Sequence, residues 1–254
     1  MELYHHGIKG QKWGIRRYQN PDGSLTERGK LRYKGATFKK NLIKEQLGKD
    51  VNIKDTYKKD YPDDNEGLTL SKGKSVNHIT PLDFKELKKG QDLYISATQN
   101  DQDTYKAFLS MMLKHKGFES VKEVKFKLKE QLKAPSNNDQ KKIFNECYEK
   151  NKKVFDKELA EYYKTKKSKP KEPYDQFIKS LDKNGTESKK IFYDAVKKKG
   201  YNAVLDQHDV DYSWMQATKP LIVMDAVNTL GDLKVKDVDT KEITKSLKRL
   251  GIFN

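Results

Sequence analysis

From residue 75 onward, short runs of β-branched and aromatic residues alternate with longer segments of helical spacing. Strands are predicted by VNHIT (76–80), DLYISAT (92–98), EVKFKLKEQL (123–132) and residues 201–205, 221–224 and 233–235. Helices are predicted over 103–117, 136–167, 174–181, 187–200 and 241–253, with Ser136 as an N-cap, a break near Asn151 and Gly200 at an end. The alternation predicts an α+β domain over 75–254 with a helical insertion at about 136–199.

The first 74 residues follow different patterns. Residues 36–48 predict a helix, since Phe38, Leu42, Ile43 and Leu47 share helical spacing and Gly48 can end it. A polar linker or surface excursion is predicted for residues 49–74. Residues 1–35 lack apolar periodicity and carry the turn signal Pro21-Asp22-Gly23, so we interpret them as an extended basic arm.

Composition restricts the function classes. The 254 residues have a net charge of +16, with 34% hydrophobic and 35% charged residues, which favours an anionic partner surface. Most lysines are interleaved with acids and no base-reading motif is present, so we expect at most weak, non-specific nucleic-acid binding. Cys147 is the one cysteine, which excludes an intrachain disulfide and a Cys-based zinc site.

Targeting and metal signals are weak. No apolar run approaches the ~20 residues that span a bilayer, so no membrane span is predicted. The N-terminus has no apolar segment typical of a secretory signal, which favours the cytoplasm or an assembly made there. His208 in DQHDVD and the adjacent His5-His6 pair fit no specific ligand spacing, and no metal is predicted.

The arm contains residue types that dominate binding sites. Aromatic anchors and cations that could contact a partner with an acidic or phosphate surface are Trp13, Tyr18, Lys9, Lys12, Arg16 and Arg17. The alternative is that Trp13, Ile15 and Tyr18 pack against the protein's own domain.

The string HHGIKGQKWGIRRYQNPDGSLTERGKLRY (5–33) resembles a tag-like segment of proteins encoded near the head genes of tailed phages and prophages of Gram-positive bacteria. The pattern there is roughly HxGxKGxKWGxRRxQN-DGxLTxxGxxRY. The resemblance implies a phage origin, phage head or other virion proteins as partners, and a location in the virion or the bacterial host cytoplasm.

The stretches KKGYNAVLDQHDVDYS (198–213) and KPLIVMDAVNTLGDLKVKDV (219–238), with VNHIT and DLYIS upstream, resemble the C-terminal half of ADP-ribosyltransferase-like phage domains. The resemblance implies a small two-sheet core. It also implies that His78 would fix NAD, and that Tyr94 and Ser96 would shape the nicotinamide pocket. Such enzymes stabilise a ribosyl cation with a glutamate, but Lys219 begins the corresponding strand here. The carboxylates that could replace it are Asp206, Asp209 and Asp211.

The same residues have structural interpretations. His78 on a β-branched strand also fits a partly buried histidine bonded to backbone, Tyr94 fits a core position, and the aspartates fit turn formers.

Three functions remain open at this level. The favoured one is a phage-encoded virion-associated or accessory protein with a degenerate ADP-ribosyltransferase-like binding module, which needs no cofactor. The second is an active NAD-dependent ADP-ribosyltransferase acting on host proteins. The third is a non-enzymatic inhibitor of host defence that binds a nucleotide signal.

Overall fold

The computed structural model describes residues 22, 24–25, 27–50, 65–95, 99–166, 169–183, 185–206, 220–249 and 251–252. The helices are α1 (Glu27–Leu47), α2 (Gln99–His115), α3 (Asn137–Tyr163), α4 (Pro173–Lys179), α5 (Glu187–Lys198), the single turn α6 (Ala226–Thr229) and α7 (Thr240–Arg249). The strands are β1 (Leu68–Leu70), β2 (Ser75–Thr80), β3 (Leu93–Ile95), β4 (Lys122–Leu128), β5 (Leu132–Ala134), β6 (Ala203–Leu205), β7 (Leu221–Val223) and β8 (Leu230–Asp237). The fold is α+β.

All strand pairs of the described residues are antiparallel. They form the sheets β2-β4-β8 and β3-β7-β6 and the pair β1-β5. The β1-β5 pair lies beside β6: the Asn202 N–H donates to the Lys133 carbonyl at 3.1 Å, and the Lys133 N–H donates to Asn202 Oδ1 at 2.7 Å. Because one side-chain oxygen replaces a backbone acceptor here, the ladder is interrupted, and three sheets stand where two were expected.

Apolar faces of the sheets meet in one core. Alternate residues of β2 and β4, such as Val76, Val124 and Phe126, pack with Leu93 and Leu221 from the other sheet. Residues on the opposite face of β3-β7-β6, including Ile222, pack instead against α3, α4 and α5. The second sheet is therefore buried on both sides, which explains the continuous apolar run of β7.

Local chemistry sets the ends of the long helices. The Ser136 hydroxyl accepts a hydrogen bond from the Asp139 N–H at 3.1 Å, which confirms the predicted N-cap of α3. Within α3 the helical geometry breaks at Asn151, as predicted, and the Asn151 side chain donates to the Cys147 carbonyl. The end of α5 is closed by Gly200 at φ +86°: the Gly200 N–H donates to the Lys197 carbonyl, and the Tyr201 N–H donates to the Val196 carbonyl.

Three sequence-based boundaries differ from the structure. Helix α1 begins at Glu27, inside the segment interpreted as an arm. Strand β1 lies within the predicted polar linker, where three residues are too few to show a period. The single strand predicted over 123–132 is two strands, β4 and β5, because the chain bends at Lys129 and Glu130.

Candidate functional site

A cavity of about 990 Å³ lies between strand β2, the irregular segment 81–92 and helix α5. Its volume is in the range of small-molecule sites, which span roughly 300–1,000 Å³. The lining brings together aromatic rings and a surplus of cations. The lining residues are His78, Thr80, Leu82, Asp83, Phe84, Lys85, Glu86, Lys88, Lys89, Gly90, Gln91, Asp92, Gly185, Thr186, Lys189, Lys190, Tyr193, Asp194 and Lys197.

His78 is held by the edge of the neighbouring strand. Its Nδ1 lies 2.9 Å from the Tyr94 carbonyl oxygen, and because a carbonyl only accepts, Nδ1 carries the proton. Burial lowers the pKa of His78, and the bond to the Tyr94 carbonyl opposes that shift without reversing it. The imidazole is therefore neutral at pH 7, with Nε2 as its unprotonated acceptor. The Phe84 ring packs against it at 5.8 Å between centroids.

Asp92, Lys189 and Tyr193 form a buried polar cluster on the cavity wall. Lys189 Nζ lies 2.6 Å from Asp92 Oδ2, with side chains only 9% and 11% exposed, and it donates to the Leu181 carbonyl at 2.8 Å. The Tyr193 hydroxyl donates to the same Asp92 oxygen at 3.1 Å. Burial and the Asp92 charge raise the pKa of Tyr193 well above its usual value. The cluster fastens helix α5 to the start of β3, and the Asp92 carboxylate is neutralised.

Asp225 fixes the C-terminal end of segment 81–92, next to Asp92. It has a left-handed backbone, φ 50°, a conformation that aspartate tolerates better than most residues. Its Oδ1 accepts the Gly90 N–H at 3.0 Å, and its Oδ2 accepts from Asn228 at 2.6 Å. The Ala226 N–H donates to the Gln91 carbonyl. The turn after β7 therefore holds residues 90–91 against the cavity.

The electrostatic character of the lining is positive. Six lysines face four carboxylates, and Asp92 is already paired with Lys189. Asp83 is also paired, at 3.5 Å from Lys122 Nζ. The N–H groups that begin α5 are unavailable to a ligand, because Glu158 accepts from Glu187 and Ser188 at 2.9 and 3.0 Å. Anion recognition at this cavity depends on the lysine side chains.

Three of the six predicted catalytic candidates lie in the described residues, and of these Tyr94 and Asp206 do not line the cavity. His78 lines the cavity and contacts the Tyr94 backbone. The Tyr94 side chain packs with the helical layer, and Asp206 is 4% exposed. The charges of Tyr94 and Asp206 both contribute to the raised pKa of Tyr193. Ser96, Asp209 and Asp211 lie outside the described residues, as do the arm residues Lys9, Lys12, Trp13, Arg16, Arg17 and Tyr18.

Sequence reasoning missed the Asp92–Lys189–Tyr193 cluster. The signal was present in α5, where Lys189 and Tyr193 are four residues apart on the same face as Val196. A lysine on the apolar face of an amphipathic helix needs a buried partner. Asp92 gave no signal, because it only begins the predicted strand 92–98 and nothing in that pattern indicates a partner.

Comparison with family models, with curated proteins and with solved structures gives no match. Within the described ranges, no helix is long and apolar enough to cross a bilayer. The described His, Cys, Asp and Glu side chains include no group of three or more that could hold a metal ion.

Proposed function

We propose that this chain is a phage-encoded virion-associated or accessory protein whose residues 75–254 form an ADP-ribosyltransferase-like binding module. The observation that carries the binding function is the lysine-rich cavity floored by neutral His78. Its volume suits a nucleotide, its rings can stack on a base, and its cations can pair with phosphates. NAD and smaller adenine nucleotides are the ligands of matching chemistry.

We expect slow or absent turnover of NAD, because the carboxylate in the cavity wall is already paired. A ribosyl cation is stabilised by an ionised carboxylate aimed at the sugar. Asp92 is the carboxylate buried in the wall, and the Lys189 ammonium and Tyr193 hydroxyl occupy its Oδ2. Lys219 stands where the family glutamate is expected. The residues therefore favour a module that holds a nucleotide without cleaving it.

Calorimetric titration of the full chain with NAD, ADP-ribose and a panel of signalling nucleotides tests the binding. We expect saturable binding of at least one adenine nucleotide that Lys88→Gln/Lys89→Gln weakens about fivefold or more. The matched control is Lys141→Gln/Lys142→Gln on α3, which makes the same charge change away from the cavity and should leave affinity unchanged. Absence of binding by any nucleotide, or equal effects of the two double variants, overturns the proposal. Selective binding of a signalling nucleotide would favour an inhibitor of host defence.

Active NAD-dependent ADP-ribosyl transfer is the second candidate, because Asp206 lies close enough to Tyr193 to affect its pKa. Labelled NAD incubated with the protein and host lysate distinguishes the two. Robust labelling that disappears in Asp206→Asn would establish the enzyme and identify the carboxylate that replaces the glutamate. We expect no labelling above a boiled control.

The arm's proposed role is docking to phage head or other virion proteins, and it rests on the resemblance of residues 5–33. Fusing residues 1–35 to an unrelated carrier should transfer association with purified phage particles. Trp13→Ala should weaken that association more than Lys9→Ala, since aromatic anchors carry more binding energy than rim charges. Equal recovery of tagged and untagged carrier would contradict this role.

A further inference from the structure

The outer face of the β2-β4-β8 sheet carries a group of exposed lysines away from the cavity. Lys125 and Lys127 lie two residues apart on β4, so their side chains share a face roughly 7 Å apart. Lys125 is the direct cross-strand partner of Lys234 on the edge strand β8. All three side chains are exposed. We call this group the lysine face.

The positions of these three lysines are unfavourable for the stability of the sheet. Like charges directly opposite each other on antiparallel strands destabilise the pair. Within the described chain, Lys234 has no ion-pair partner, and the Lys127–Asp232 contact is long, 3.9 Å between two exposed side chains. Strand pairing therefore does not explain three cations on this face.

Beneath one end of the lysine face lies a buried carboxylate that is already paired with cations. Glu123, with 0% of its side chain exposed, lies 3.1 Å from Lys236 and 3.7 Å from Lys106, and it accepts from Asn77 at 2.8 Å. Its distance to Lys125 is longer, 3.8 Å. Lys236 is held in this network, whereas Lys125 and Lys127 have only contacts of 3.8 and 3.9 Å and Lys234 has no ion pair among the described residues.

The residue types on the lysine face indicate which kind of anionic partner it suits. Its exposed residues other than Asp232 are serine and lysine. Membrane association uses apolar insertion and protein interfaces use aromatic anchors. Val235 is exposed, but it pairs with core-facing Val124 and so belongs to the opposite face. Ammonium groups on neighbouring strands, without exposed apolar side chains on the same face, suit the phosphates of a nucleic-acid backbone.

We propose that the lysine face binds the phosphate backbone of duplex DNA without reading its sequence. This site is separate from the cavity and does not rest on the proposed function. Since binding is by phosphate contacts alone, each lysine should contribute about 0.9 to the slope of log affinity against log salt.

The test is fluorescence anisotropy of the full chain with a labelled 20-base-pair duplex of mixed sequence, between about 50 and 200 mM salt. Lys125→Gln/Lys127→Gln/Lys234→Gln should lower the salt slope by about 2.7 and weaken binding at least tenfold at the lowest salt. The matched control is Lys150→Gln/Lys153→Gln/Lys157→Gln, three exposed lysines of α3. It should leave the slope unchanged. Equal losses in both triple variants would show that net charge alone attracts DNA and would overturn the site.

A single charge reversal separates binding from folding. Lys234→Glu creates an opposite-charge pair with Lys125, so thermal stability should rise or stay level while DNA affinity falls about tenfold. A parallel loss of stability and affinity would assign a structural role to Lys234 and contradict the proposal. Vesicles of anionic lipid test the alternative partner. If binding to vesicles depends on the three lysines and binding to DNA does not, the proposal of a DNA site is overturned.

Discussion

His78 is a neutral side chain kept inside the fold, and this makes stability depend on pH. Burial lowers its pKa below the unfolded value of 6.5. Below pH 6.5 the unfolded chain binds a proton that the folded chain rejects, so stability is full above pH 6.5 and declines as pH falls toward the folded pKa. We expect the urea midpoint to drop between pH 7.5 and 5.5, and His78→Gln to reduce that drop. His115→Gln, at an exposed histidine, is the control and should preserve it.

The Gln140 side chain makes the hydrogen bonds that a neighbouring strand would otherwise make with the end of β6. This fully buried side chain accepts from the Leu205 N–H at 2.8 Å and donates to the Leu205 carbonyl at 2.9 Å. Gln140→Leu would leave both backbone groups unpaired, and we expect a loss of about 3 kcal/mol in the free energy of unfolding. Hydrogen exchange at the Leu205 amide should accelerate as well. Lys142→Ala, an exposed change two residues along the same helix, should do neither.

At the scale of elements, the contribution of the α3 N-cap to the stability of the fold can be measured directly. Ser136→Ala removes the acceptor for the Asp139 N–H and should cost about 1 kcal/mol in chemical unfolding. Ser136→Asn keeps a capping oxygen and should cost only a few tenths. If the two substitutions cost the same, the loss comes from packing at this buried position and not from the cap.

Elements with a strong hydrophobic period could be predicted from the sequence, whereas the short elements could not. Helices α3 and α5 combine amphipathic spacing with a cap or a terminal glycine, so both type and approximate ends followed from sequence. Strand β1 has three residues, and its partner β5 lies more than sixty residues away, so its pairing depends on tertiary contacts. The split between β4 and β5 likewise depends on tertiary pairing, since β4 pairs with β2 and β8 whereas β5 pairs with β1.

At the scale of the whole molecule, the candidate site was likewise predictable from the sequence only in part. Residues of one strand, such as His78, could be placed from their local pattern. The cavity wall depends on Asp92 meeting Lys189 and on Asp225 meeting Gly90, pairs separated by about a hundred residues. Such contacts follow from how the sheets and α5 pack, so local sequence patterns place His78 on a strand but do not reveal the residues that close the cavity beside it.

A partly buried charge network joins distant parts of the chain. Glu242 of α7 lies 3.0 Å from Lys236 of β8 and 3.2 Å from Lys106 of α2, and both lysines also approach Glu123 of β4. One carboxylate therefore links two helices to the sheet. The hydrogen bond from Lys236, followed by that from Lys106, lowers the pKa of Glu242 to about 2, although partial burial acts in the opposite direction.

The sign of this shift makes the network sensitive to acid. Because the folded pKa is below the unfolded value of 4.5, Glu242 contributes stability that is full above pH 4.5 and is lost as pH falls toward 2. We expect Glu242→Gln to be less stable than the natural chain at pH 7 and to show a smaller further loss between pH 4.5 and 2, measured by urea unfolding followed by circular dichroism. Glu119→Gln, at an exposed carboxylate, should leave both values unchanged. If Glu242→Gln loses stability over that interval as steeply as the natural chain, the ion pairs with Lys236 and Lys106 do not join α2 and α7 to the sheet in solution.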